Sequence, residues 1–217
     1  MMFRVRTVLA ALAAVAVAAT AASADEAQSL VEELRAAVAA TRTLEARFVQ
    51  TARMVTTGFD QVAGGRVWFA KGGRMRWEYE GDDPQVIVSD GQTLWIYQVR
   101  DRTVIRQPLT DLNPAARLAL DLLNGLGRLE EEFQVGSCGA RCLELRPKTP
   151  QPGLDRVQIR LLPDRALPAA VTTFDPVGNR TTVELSGLRV NEDIPADRFT
   201  FQVPEGVQVV GGGETAR

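Results

Sequence analysis

Cys138 and Cys142, separated by three residues in CGARC, are the side chains best placed for covalent chemistry. A thioredoxin-type redox pair needs two intervening residues rather than three. Two thiolates also fall short of the four ligands of a structural zinc site unless carboxylates complete it. In an oxidising compartment the expectation is a structural disulfide closing a hairpin, with a redox-active pair as the sharper alternative. The loop is short, so its entropic contribution should stay below about 3 kcal/mol. Histidine is absent altogether, which removes the commonest general base and the commonest metal ligand. There is no G-x-S-x-G elbow, no phosphate-cradling glycine loop and no H-E-x-x-H. A hydrolase built from carboxylates alone stays formally open, but no Asp or Glu spacing singles out a pair, and solvated charges are the plainer reading. The residue types point away from an enzyme and from any metal or cofactor.

Apolar surface is what the sequence concentrates instead. The stretch RVWFAKGGRMRWEYEGDDPQVIVSDGQTLWIY, residues 66–97, holds all three tryptophans and both tyrosines of a chain that is only 6% aromatic. A packed core accounts for such a cluster in one way and an apolar binding surface in another.

The first 24 residues read as an export leader. Arg4 and Arg6 form a basic start, an apolar run follows from Val8 to Ala19, and Ala22-Ser23-Ala24 is a small-residue cleavage pattern, so cleavage is expected after Ala24. The apolar run is shorter than the roughly 20 residues of a membrane span, and no cysteine sits at the cleavage point to carry a lipid. Residues 25–217 then form a single soluble, exported domain large enough for a substantial core. Losing two arginines makes that domain more acidic than the formal net charge of −2 for the whole chain, which argues against a nucleic-acid partner.

The elements that must position the aromatic residues are a helix followed by strands. From Asp25 to about Thr41, Leu30, Val31, Leu34 and Val38 recur at three- and four-residue spacing and share one face. The period then becomes two. In RMRWEYE, Met75, Trp77 and Tyr79 fall on one side, with Arg74, Arg76, Glu78 and Glu80 on the other, the mark of an antiparallel sheet with one wet face. QVIVS and TLWIYQV flank an Asp90-Gly91 turn. A second helix is expected over Asn113 to Leu126, with Pro114 at its first position and Leu118 and Leu122 on its apolar face. Further strands follow to about residue 190. The sum is an α+β domain: an incomplete, half-open antiparallel β-barrel of about ten to eleven strands, its concave side capped by helices. Such a helix can serve as a lid over an apolar cavity or as part of a filled core. The alternation fits both, and it leaves the side on which Trp68 lies undetermined.

Five motifs in order carry a resemblance. Phe48-Val49-Gln50, Gly65-Arg66-Val67-Trp68, Met75-Arg76-Trp77, Val88-Ser89-Asp90-Gly91-Gln92-Thr93-Leu94-Trp95-Ile96-Tyr97 and the closing Phe199-Thr200-Phe201-Gln202-Val203-Pro204-Glu205-Gly206-Val207 resemble the pattern of the periplasmic lipoprotein carrier family, LolA. The resemblance implies a carrier that takes lipidated lipoproteins from an inner-membrane ABC-type releasing complex, shields their acyl chains, and hands them to an outer-membrane receptor. It also implies that Phe48, Met75, Trp77, Tyr79, Ile87, Leu94, Leu118 and Leu122 line the acyl-chain cavity. The chain departs from the family in two places. Lys71-Gly72 stands where the family has Arg-Pro, whose arginine holds the lid helices, so latching falls to Lys71 or moves to Arg74, either of which could instead contact a partner. Met75 replaces a phenylalanine and keeps the lining apolar. The expected protein is a monomer. The rivals are a lipoprotein- or lipid-sensing protein of the same fold and, from a different class, the carboxylate-only hydrolase.

Overall fold

The computed structural model describes residues 25–112 and 129–211. Helix α1, residues 25–40, opens the described chain. Its buried residues, Ala27, Leu30, Val31, Leu34 and Val38, keep the expected spacing. The last carbonyls find partners outside the helix: the Thr41 hydroxyl donates to Ala37 at 2.8 Å, the Asn191 side-chain amide to Ala40 at 3.1 Å, and Lys71 Nζ to Ala39 at 2.6 Å. These bonds satisfy acceptors that every helix end leaves open.

Among the described residues, twelve strands form one sheet: β1 (Thr43–Arg53), β2 (Asp60–Ala70), β3 (Arg74–Glu80), β4 (Gln85–Asp90), β5 (Thr93–Gln98), β6 (Thr103–Pro108), β7 (Phe133–Ser137), β8 (Cys142–Pro147), β9 (Arg156–Leu161), β10 (Pro168–Phe174), β11 (Arg180–Val190) and β12 (Gln208–Val210). Their order is β12-β6-β5-β4-β3-β2-β1-β11-β10-β9-β8-β7, so the sheet is open, with β12 and β7 at its edges. Every pairing is antiparallel except β12 on β6. Each half is a meander, and the β1–β11 pairing joins the two at the centre. The fold is the expected half-open α+β sheet, with one strand more than the alternation suggested. The extra strand is β12, three exposed residues with no pattern of their own. The second expected helix falls on residues 113–126, which lie outside the described residues. A single helical turn, Leu129–Glu132, leads into β7.

Local chemistry explains the corners. At the β4–β5 turn, the Asp90 carboxylate accepts the amides of Gln92 and Thr93, both at 2.8 Å. Buried Ser89 donates to the Gly73 carbonyl at 2.8 Å, and Gly91 takes a φ of 99° that side chains disfavour. The Ser89-Asp90-Gly91 motif is therefore a corner brace. Cys138 and Cys142 are joined by a disulfide that closes the β7–β8 hairpin.

The sheet has two differently used faces. On the inner face, α1 lies over the main core, which runs from Leu94 on β5 through Phe48 and Leu44 on β1 to Ile159 on β9 and Leu143 on β8. The outer face is covered near β2–β6 by the segment following β11. There Phe199 packs with Trp68 and Ala70, and Phe201 lies 6.3 Å from the Trp95 ring and 6.1 Å from that of Tyr97. The Arg66 and Arg198 guanidiniums both approach Trp68, at 5.1 and 4.7 Å from its ring centre. This divides the aromatic cluster: Trp77 and Tyr79 belong to the inner face, while Trp68, Trp95 and Tyr97 fasten the C-terminal segment.

Candidate functional site

The inner face is organised around a glycine. Phe48 on β1 lies opposite Gly65 on β2, which lies opposite Tyr79 on β3. A Cβ at Gly65 would run into the backbone carbonyl of Glu78 and press on the Phe48 ring. Without it, the Phe48 ring settles edge-on between Trp77 and Tyr79, 4.8 Å from each. Phe69 meets Trp77 edge-on from the other side at 5.8 Å. Edge-to-face contacts at such distances are favoured by the ring quadrupoles.

Phe48, Met75, Trp77, Tyr79, Ile87 and Leu94 all lie in this one cluster. Phe48, Met75 and Leu94 are buried, whereas Trp77, Tyr79 and Ile87 keep partial exposure. Leu118 and Leu122 lie outside the described residues. Phe69 and Ile96 share the face and were not singled out from the sequence, although each follows a buried inner residue, Val67 or Leu94, by two positions. Near the C-terminal end of α1 lies a cleft of about 50 Å³, lined by Val38, Leu44, Phe69, Lys71, Leu167 and Leu185 among others. Ligand pockets usually enclose several hundred Å³, so this cleft is smaller than an ordinary ligand site.

Tyr79 brings a hydroxyl into the aromatic trio, and that hydroxyl donates to Gln50 Oε1 at 3.0 Å. Burial pushes its pKa above the ordinary 10.0 because the phenolate would lose its hydration. The neutral phenol is therefore the form that the fold favours. Stability from this source is complete below pH 10 and falls as pH rises from the unfolded-state value through the folded one. Unfolding midpoints measured across the alkaline range should decline less steeply for Tyr79→Phe than for the parent, and parallel curves would remove Tyr79 as the cause.

The two basic candidates diverge. Lys71 Nζ reaches α1 at Ala39. Arg74 does not: its Nε donates to the Lys71 carbonyl at 3.1 Å, and its guanidinium lies 5.6 Å from the Phe199 ring centre. Further along, α1 is tied by Arg35 to both carboxylate oxygens of Glu130 (3.0 and 2.7 Å) and by Glu33 to Arg141 (3.2 Å). These polar ties are partly exposed and each is worth less than about 1 kcal/mol. Lys71→Ala should therefore hardly move global stability, yet speed amide hydrogen exchange in the last turn of α1. Unchanged exchange there would show that the bond does not hold the helix.

Among the described residues, no group of three or more His, Cys, Asp or Glu side chains converges to hold a metal ion, and no helix is long and apolar enough to cross a membrane. The family model for the outer membrane lipoprotein carrier protein LolA matches residues 39–202. The chain belongs to that family. An outer-membrane lipoprotein carrier protein of Chromobacterium violaceum is 32% identical over 191 residues, covering 85% of this chain and 88% of the relative. One from Alkalilimnicola ehrlichii is 33% identical over 177 residues, 80% of either chain. An uncharacterised conserved protein from Thermus thermophilus shares the fold, with a TM-score of 0.54 at 12% identity over 85% of this chain and 98% of that one. The LolA match begins in the last turn of α1 and ends just past Phe201. It thus takes in the inner aromatic cluster and the pair that secures the C-terminal segment.

Proposed function

We propose that residues 25–217 form a single periplasmic carrier domain, freed of its leader after Ala24. It receives lipoproteins from an inner-membrane ABC-type releasing complex, covers their acyl chains with the inner face of the sheet, and passes them to an outer-membrane receptor. It works as a monomer by binding and release, with no covalent step. The observation that carries this reading is the aromatic inner face over which the amphipathic helix α1 lies, held among the described residues by polar ties that are partly exposed.

The energetics suit an exchange. Lifting α1 uncovers Leu30, Val31, Leu34 and Val38, which costs on the order of 8 kcal/mol at about 2 kcal/mol per side chain. Burying about ten acyl methylenes at roughly 0.8 kcal/mol each offsets that cost. An empty carrier therefore stays closed, a lipidated cargo can replace the helix on the face, and neither state is so favourable as to trap the cargo. Phe48, Met75, Trp77, Tyr79, Ile87 and Leu94 would be the lining, with Lys71 as the lid latch.

The test is release of a labelled triacylated lipoprotein from inner-membrane vesicles that contain an active releasing complex. Soluble one-to-one complexes with the purified chain are expected. Failure to release, while a known carrier succeeds in the same vesicles, would overturn the reading.

A further inference from the structure

The β1–β2 hairpin runs past the core. After Phe48 no residue of β1 is fully buried, and the first three residues of β2 are exposed. Its end bears large apolar side chains in solvent: Met54 is 44% exposed, Val55 60%, Phe59 76% and Val62 67%. Val177, 73% exposed, joins them from the β10–β11 turn. Turns are ordinarily built from small and polar residues, and soluble surfaces seldom group apolar side chains in this way.

The two turns are ordered and tied together. The Val55 amide donates to Asn179 Oδ1 at 2.8 Å, and the Gly58 amide returns to the Met54 carbonyl at 2.9 Å. Asp175 accepts the amides of Val177 and Asn179 at 3.0 and 2.8 Å, and the Asn179 side chain at 2.7 Å. The apolar side chains thus stand on a preformed support, which lowers the ordering cost of burying them. Directly behind them, Arg53 and Arg180 face each other across the β1–β11 register, both exposed. Of the nearby acids, Asp60 lies 3.8 Å from Arg53, and Asp175 is occupied by its own turn.

An apolar end with cations one step behind it matches the boundary between acyl chains and anionic headgroups. It fits a second copy poorly, since symmetric docking would bring the arginines of both copies together. We propose that this end of the sheet is a membrane-contact element. It seats Val55, Phe59 and Val177 at the headgroup–acyl boundary of an anionic bilayer, with Arg53 and Arg180 against lipid phosphate. The contact requires neither cargo nor a protein partner, and so stands apart from the carrier reading. It lies at the opposite end of β1 from the Lys71–Ala39 bond, roughly 35 Å along the strand.

The test is flotation of the purified, cargo-free chain with phosphatidylcholine vesicles, with and without phosphatidylglycerol. Binding is expected with phosphatidylglycerol and should weaken as salt is raised. A Phe59→Ser/Val177→Ser chain should bind on the order of tenfold more weakly or worse, and Arg53→Gln/Arg180→Gln should lose the preference for anionic lipid. These side chains are exposed, so melting temperatures should match the parent and exclude misfolding. No flotation of the parent with either vesicle, or equal flotation of the serine variant, would overturn the proposal. So would concentration-dependent dimers of the parent that the serine variant abolishes, because the patch would then serve a second copy.

Discussion

A Gly65→Ala chain is expected to accumulate poorly and, where it can be purified, to unfold at a much lower denaturant concentration than the parent. The added methyl group meets the Glu78 carbonyl, part of the neighbouring strand's backbone, so no rotamer change relieves the clash. Strands β2 and β3 would have to separate where they bury Phe48 against Trp77 and Tyr79. Overpacking of ordinary cores costs about 1–3 kcal/mol, and a clash with backbone at the middle of a sheet should reach or exceed the upper end. That is a large share of the roughly 5–15 kcal/mol by which domains are stable. Equilibrium urea unfolding measures it. A midpoint equal to the parent's would mean that the strands are not held as closely as the geometry shows.

The second large effect is functional and separates the two faces of the sheet. Trp77→Glu should abolish formation of soluble lipoprotein complexes, because it places a carboxylate where acyl chains would lie, and an unpaired charge among hydrocarbon is costly. Trp95→Glu is the matched control: it removes a tryptophan from the opposite face, where Phe201 lies 6.3 Å away. It should lower the melting temperature yet leave complex formation intact in the protein that remains folded. Complex formation per folded molecule, with the folded fraction taken from circular dichroism, is the quantity to compare. Equal losses in the two variants would sink the assignment of the inner face as the binding surface.

Local alternation made much of the sheet legible. Met75, Trp77 and Tyr79 against Arg74, Arg76 and Glu78 define a strand and its dry side without further context, and Asp90-Gly91 marks its corner. The fastening of the far side was not legible. Trp68, Trp95 and Tyr97 sit in strands that are apolar on both sides, and only the return of Phe199 and Phe201 decides which way they face. β12 escaped notice for a related reason. Its three residues are exposed, and its position comes from backbone pairing with Thr103–Ile105, about a hundred positions earlier. The bond from Lys71 to Ala39 depends on where a helix ends relative to a strand turn, which periodicity does not encode. The apolar hairpin end was visible in principle, because Met54, Val55 and Phe59 interrupt a stretch that should read as a polar turn.

The pairing of β1 with β11 has a consequence for the order of events during synthesis. The central seam of the sheet joins residues as far apart as Leu44 and Val190, 146 positions along the chain. Loop closure over such a span is slow, and it cannot begin before the distal partner exists. Until β11 has emerged, the two meanders remain separate half-sheets, with β1 as the unprotected rim of one and β10 as that of the other. Phe199, Phe201 and β12 arrive later still. The timing is set by topology, because the seam that makes the molecule whole waits for β11.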